Sequence, residues 1–309
     1  PLPPAEVLAF FAERAPLTGS GAIRYAEALA ARGRAPAADA QIARIWRETP
    51  LTRGERERIE AGWPAIARRH AADRLDAMLW AGEAEQARAV LHLVGPAWRA
   101  LAEARIALRV RTPGVDGLIA RIPDALMADP GLAYERFVWR HRAGRDADAE
   151  SMLRERSRSA EALGRPAAWA RRRAILVRAA LREGRDRAAY VMARDHRGAP
   201  EDGYSAYAAL EWLAGWIALR RLDDPAAAEA HFGRFRAAVN TPISVGRAGY
   251  WLGRARAARD DAAGARAAWA EAADHPTTYY GQLAAARLGR DVSAALAVRD
   301  GAEGWTAAP

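Results

Sequence analysis

Three stretches decide how this chain folds: Leu181-Arg-Glu-Gly-Arg-Asp186-Arg-Ala-Ala-Tyr190, Leu219-Arg-Arg-Leu-Asp-Asp224-Pro-Ala-Ala-Ala228 and Ala258-Arg-Asp-Asp261-Ala-Ala-Gly-Ala265. In each, one helix runs out in a polar or Gly-containing turn, an aspartate takes a capping position, and an Ala-rich helix begins. A carboxylate there accepts from the free amides of the first turn and favours the positive end of the helix dipole. Asp186, Asp224 and Asp261 are 38 and 37 positions apart, a period typical of two-helix repeats. Weaker copies centre on Gly33, Gly82 and Gly144.

Around these turns the signal is helical throughout. Apolar residues recur at i, i+3 and i+4 in Ile42/Ile45/Trp46, Leu75/Met78/Leu79, Tyr134/Phe137/Val138 and Leu213/Trp216/Ile217. That spacing stacks side chains on one helical face. No stretch alternates apolar and polar residues with β-branched enrichment, so no strand is predicted. Small alanine faces let neighbouring helices approach closely, but a single hairpin cannot bury both of its faces, whereas a stack can. The sequence therefore predicts an all-α protein: a superhelical α-solenoid of two-helix, TPR-like repeats over residues 1–290. Residues 291–309 are expected to be a C-terminal tail or the start of a linker region.

Composition narrows the function classes. The 309 residues carry 47 Lys+Arg against 38 Asp+Glu, a net charge of +9, and every one of those cations is an arginine. Such a surface attracts nucleic acid, anionic lipid or an acidic polymer such as cell wall. It is equally what a GC-rich coding sequence produces on a solvated, mixed-sign face. With no cysteine there is no disulfide, thiolate nucleophile or thiolate metal site. The longest nearly apolar stretch, Ala206 to Leu219, is too short to span a bilayer and contains Glu211.

Catalytic motifs are sparse. His70, His92, His141, His196, His231 and His275 are scattered singly, with no pair at ligand spacing, so no metal site and no cofactor are expected. Gly19-Ser-Gly21 opens a dinucleotide-like pattern, but Arg24 stands where the third glycine belongs and no strand precedes it. Without lysine there is no phosphate-binding Gly-Lys loop. Asp223/Asp224 and Asp260/Asp261 pair carboxylates at repeat turns, where capping explains them better than acid–base work. Trp46, Trp80, Trp139, Trp212 and Trp269 fall on apolar faces and are expected to pack between helices. Trp63 and Trp98, beside proline-bearing turns, are expected to be partly exposed.

Two blocks go beyond generic repeat sequence. One is Asn240-Thr-Pro-Ile-Ser244-Val-Gly-Arg247-Ala-Gly-Tyr250-Trp251-Leu-Gly253-Arg254-Ala255; the other is Asp274-His-Pro276-Thr277-Thr278-Tyr279-Tyr280-Gly281-Gln282-Leu283-Ala284. Together they resemble the end of the N-terminal superhelical region of soluble lytic murein transglycosylases, which carries Tyr-Trp-x-Gly-Arg-Ala and then Pro-Thr-Thr-Phe/Tyr-Tyr-Gly-Gln-Leu-Ala. Trp98 to Ile106, Pro130 to Arg136 and Glu211 to Ile217 resemble it as well, so the similarity covers most of the chain.

The resemblance implies a superhelix of short helices curled into a ring, followed by a linker and a lysozyme-like catalytic domain. It implies a periplasmic protein whose signal peptide has been removed. The parent reaction would cleave the β-1,4 bond between N-acetylmuramic acid and N-acetylglucosamine, leaving a 1,6-anhydro end, with one glutamate of a Glu-Ser pair as acid and then base. The only Glu-Ser here is Glu150-Ser151, within an Arg-rich helical segment and with no Gly-Leu-Met-Gln after it. About 25 residues follow the Gly-Gln-Leu block, too few for a catalytic domain. The expectation is therefore a non-catalytic region that helps hold the enzyme on peptidoglycan, with Arg247, Arg254 and Gln282 as candidate contacts. A packing role for the same residues stands beside that: Arg254 satisfying helix carbonyls, Gln282 capping a turn. A stand-alone helical-repeat scaffold for protein partners is the alternative. A nucleic-acid-binding solenoid would need arginines alternating with exposed aromatics along one path.

Overall fold

The computed structural model describes residues 2–293, and among them every regular element is a helix. The expected tail 291–309 falls outside the described residues from 294 onward. The chain divides into two compact units, Pro1–Arg145 and Asp146–Pro309. In the first, the helices used below are α1 (Gly19–Ala31), α2 (Ala35–Glu48), α3 (Ala71–Ala81), α4 (Pro96–Val110) and α5 (Pro130–Arg142). In the second they are α6 (Pro166–Arg182), α7 (Asp186–Arg194), α8 (Ala209–Arg221), α9 (Pro225–Ala237), α10 (Pro242–Ala257), α11 (Ala262–Ala273) and α12 (Tyr279–Leu288).

The repeated turns share a left-handed residue rather than a shared aspartate. Gly33, Gly82, Gly144, Gly184, Asp223 and Asp260 all have positive φ, from 52° to 86°. After each of the four glycines and after Asp260, the next residue's N–H reaches back to the carbonyl five positions earlier. Arg34 donates to Leu29, Glu83 to Met78, Arg145 to Arg140, Arg185 to Ala180 and Asp261 to Arg256. This closes the orphan carbonyls of one helix and sets the next helix off two residues later. Asp224 reaches one residue further back, to Ala218.

The caps follow, with one correction. Asp224 Oδ1 accepts from Ala227 N–H at 2.9 Å and Asp261 Oδ1 from Gly264 N–H at 2.8 Å. Asp186 does not cap: Arg185 takes the cap position, and Asp186 lies in the first turn, 3.5 Å from Arg221 of α8. Gly184 has already supplied the left-handed turn, and Arg185 then begins the helix one step earlier, so the carboxylate serves the dipole and a neighbouring helix instead. Proline occupies the first helical position of α4, α5, α6, α9 and α10, where its missing N–H costs nothing.

Within each unit, helices pack on their chain neighbours. In the first, Ile23, Leu29, Ile42, Ile45, Trp46, Leu75, Met78 and Leu79 form a continuous buried cluster, with Trp63 and Trp98 partly buried against it. In the second, α6 pairs with α7, α8 with α9 and α10 with α11, and α12 lies against both α10 and α11.

Arginine also enters the core. Arg74 on α3 donates to the Trp46 and Thr49 carbonyls at 2.6 and 3.1 Å, and so closes the C-terminal end of α2. Arg173 on α6 does the same for α7, donating to the Met192 carbonyl at 2.7 Å and to Ser157 Oγ at 2.7 Å. Burial pulls both guanidinia down to about 10, so both stay charged at neutral pH.

Candidate functional site

The two blocks that carry the family resemblance meet in the second unit. Block one is α10; block two is the Asp274–Thr278 turn and the start of α12. Small residues permit the approach. A Cβ on Gly246 would fall 2.8 Å from Thr278 Oγ1, and one on Gly281 would overlap the His275 carbonyl oxygen. Gly253 leaves room for the Trp269 indole, whose Nε1–H donates to the Tyr250 carbonyl at 3.2 Å. Thr278 caps α12, accepting from Gly281 N–H at 3.1 Å.

An aromatic cluster forms over this contact. Trp251 stacks on Phe232 at 5.9 Å between ring centroids and meets Trp212 edge-on at 6.2 Å; Tyr250 lies 5.4 Å from Tyr280. Arg247 lies over Trp212, its guanidinium carbon 3.5 Å from the ring centre, and donates to Tyr204 Oη at 3.1 Å. Cation–π contact and hydrogen bond together fix its orientation. One turn pair further along α10, Arg254 donates to Tyr250 Oη at 3.2 Å and lies 5.8 Å from the Trp251 ring. Gln282 is exposed and donates to the Pro276 carbonyl at 3.0 Å, closing the turn before α12. The structure thus brings Arg247 and Arg254 to one helix flanked by aromatics and sets Gln282 on the neighbouring one, each with an intramolecular partner.

A second convergence lies behind α8. Glu211 is buried, and three nitrogens lie within hydrogen-bond distance of its carboxylate: His196 Nε2 at 3.2 Å, His231 Nδ1 at 2.6 Å and Arg234 Nε at 2.8 Å, with Arg234 Nη2 also 2.7 Å from His231 Nδ1. Gly198 N–H donates to His196 Nδ1 at 3.0 Å, which leaves the His196 proton on the nitrogen facing Glu211. Tyr190 Oη lies 3.3 Å from His231 Nε2. Burial works against the Glu211 charge, but hydrogen bonds from His196, His231 and Arg234 outweigh it and hold the carboxyl well below the ordinary range. A glycosidic general acid needs the opposite shift, so this carboxylate organises packing and does not donate protons at neutral pH.

The sequence treated His196 and His231 as isolated, and Glu211 only as a break in an apolar run. That break was the available signal, because a charge alone in such a run must find partners. Among the described residues, no group of three or more His, Asp or Glu side chains is arranged to hold a metal ion. Glu150 is held by Arg185, which donates to both carboxylate oxygens at 2.7 and 2.8 Å. No helix among the described residues is long and apolar enough to cross a membrane.

No family model matches the chain, and no match was found among curated proteins or among solved structures.

Proposed function

We propose that this chain is the non-catalytic superhelical region of a peptidoglycan lytic transglycosylase, and that it positions such an enzyme on cell wall in the periplasm. The supporting observation is the docking of the two resembling blocks. Tyr250 and Trp251 on α10 meet Tyr280 of α12, and Gly246 on α10 faces Thr278 and Gly281 at the start of α12. Residues of both blocks thus pack as one contact, which supports reading the two blocks together. The successive hairpins α6/α7, α8/α9 and α10/α11, each on its neighbour, support the solenoid part of the reading. Capture works through charge: a net +9 surface attracts a polymer rich in peptide carboxylates, and many weak contacts retain it.

The test is cosedimentation of the chain with purified sacculi at low and high salt, alongside a zymogram. Retention that falls with salt, without clearing of the gel, is the expected result. Salt-independent retention would overturn the charge account, and clearing would overturn the non-catalytic assignment.

The scaffold alternative has one observation of its own. Tyr204 and Ile243 are exposed beside a cleft also lined by Ala238, Val239 and Thr241, a surface suited to an apolar side chain of a protein partner. A chain that purified sacculi do not retain at either salt concentration would favour it.

A further inference from the structure

The geometry points to the outward face of α6, and not to Arg247, Arg254 or Gln282, as the surface that takes the carboxylate-bearing strands of the wall polymer. This inference rests on the peptidoglycan reading and adds the place. Arg247, Arg254 and Gln282 already have partners within the chain. Helix α6 differs from its surroundings in charge. Over Pro166–Arg182 it carries Arg171, Arg172, Arg173, Arg178 and Arg182 and no acidic residue. Arg173 turns inward to its carbonyl. Arg171, Arg178 and Arg182 are exposed, and at about 100° per residue they fall with Ile175 inside an arc of roughly 60°.

Some exposed arginines elsewhere are neutralised. Arg53 pairs with Glu57 at 2.7 Å, Arg185 with Glu150 at 2.7 Å, and Arg256 and Arg259 share Glu229. Others, Arg14, Arg68 and Arg69 among them, have no carboxylate partner among the described residues; α6 aligns three such arginines on one face. Arg171, Arg178 and Arg182 have no carboxylate within ion-pair distance among the described residues; Arg178 donates only to the Ala174 carbonyl one turn back, at 3.2 Å. Three uncompensated guanidinia thus run along about 17 Å of one helix at 1.5 Å rise per residue. Guanidinium presents paired N–H donors that match carboxylate geometry, and a straight row of them suits an extended chain carrying repeated carboxylates. A bilayer is the poorer fit. Ile175, 43% exposed, is the single large apolar side chain on the stripe, too little to enter the acyl region.

The experiment compares two triple variants of the full chain that lose the same charge. One is Arg171→Gln/Arg178→Gln/Arg182→Gln; the other removes three exposed arginines of the first unit, Arg14→Gln/Arg68→Gln/Arg69→Gln. Thermal melts of both should match wild type, as the side chains are on the surface. In sacculus cosedimentation at low salt, the stripe variant is expected to bind at least about tenfold more weakly and with a shallower salt dependence, while the control changes less than about threefold. Equal losses in both variants would overturn the stripe and leave the peptidoglycan reading intact. A wild-type chain that fails to bind sacculi would overturn both. Preferential capture by phosphatidylglycerol vesicles, lost in the stripe variant, would overturn the wall assignment in favour of a membrane.

Discussion

Glu211 Oε2 on α8 lies 2.6 Å from His231 Nδ1 on α9, and this contact joins the two helices through a buried charge. Removing the carboxylate leaves His196, His231 and Arg234 facing one another without their acceptor. Glu211→Ala is expected to destabilise the protein by about 3–5 kcal/mol at pH 7, the usual cost of breaking a buried ion pair from one side. The pH dependence has a definite sign. Because the folded carboxyl titrates below the unfolded one, its stabilisation is complete above the unfolded value of about 4.3 and fades as pH falls below it. Denaturant midpoints followed by circular dichroism should therefore converge for wild type and variant between roughly pH 4 and 2. A constant gap across that range would contradict a charged Glu211.

Arg173 should resist conservative replacement. Its two terminal nitrogens serve the Met192 carbonyl and Ser157 Oγ from opposite ends of one planar group. An ammonium on a flexible stem cannot hold both in that geometry. Arg173→Lys is expected to lose about 1–3 kcal/mol, and Arg173→Ala more, since both acceptors are then left without a donor inside the core. Equal stability of the lysine variant and wild type in urea titrations would refute the two-acceptor role.

Gly281→Ala tests the approach of α12 to the turn before it. The added Cβ would overlap backbone, the His275 carbonyl, which cannot rotate aside as a side chain can. A loss of about 2 kcal/mol or more is expected, comparable to overpacking a well-filled core. Gly233→Ala, where a Cβ meets nothing within 4 Å, should be neutral or slightly stabilising. Matching melting temperatures for the two would show that the close approach does not form in solution.

Asp260 holds φ at 61° without a side-chain hydrogen bond of its own in the turn, a conformation that an L-residue adopts at a cost. Asp260→Gly is expected to raise stability by about 0.5–1 kcal/mol. Gly184→Ala, at φ 74° in the equivalent turn, should lower it by about 1 kcal/mol. Opposite signs in thermal denaturation check the shared turn geometry; a destabilising Asp260→Gly would mean that the aspartate has a role beyond the turn.

Much of the architecture was legible in the chain because it is locally encoded. The i, i+3, i+4 sets Ile42/Ile45/Trp46 and Leu75/Met78/Leu79 lie on helices and are buried; Trp63 and Trp98 are partly buried, but so are Trp80, Trp139, Trp212 and Trp269, and the expected contrast between the two groups does not appear. Asp224 and Asp261 cap because capping depends on residues three positions away. The misreading of Asp186 shows the limit of the same logic. A left-handed glycine before it shifted the helix start by one residue, and backbone hydrogen bonding, not the carboxylate, chose the boundary.

Helix, turn spacing and the absence of a strand pattern were thus determined by the sequence alone, since each follows from side-chain period and from contacts within one or two turns. Only the tertiary structure decided which arginines point inward and which stay bare, and that His196, Glu211 and His231 converge across 35 positions of chain. The reason is physical: helical periodicity fixes the face on which a charge sits, but whether that face meets a carboxylate, a carbonyl end or water depends on how neighbouring helices are packed.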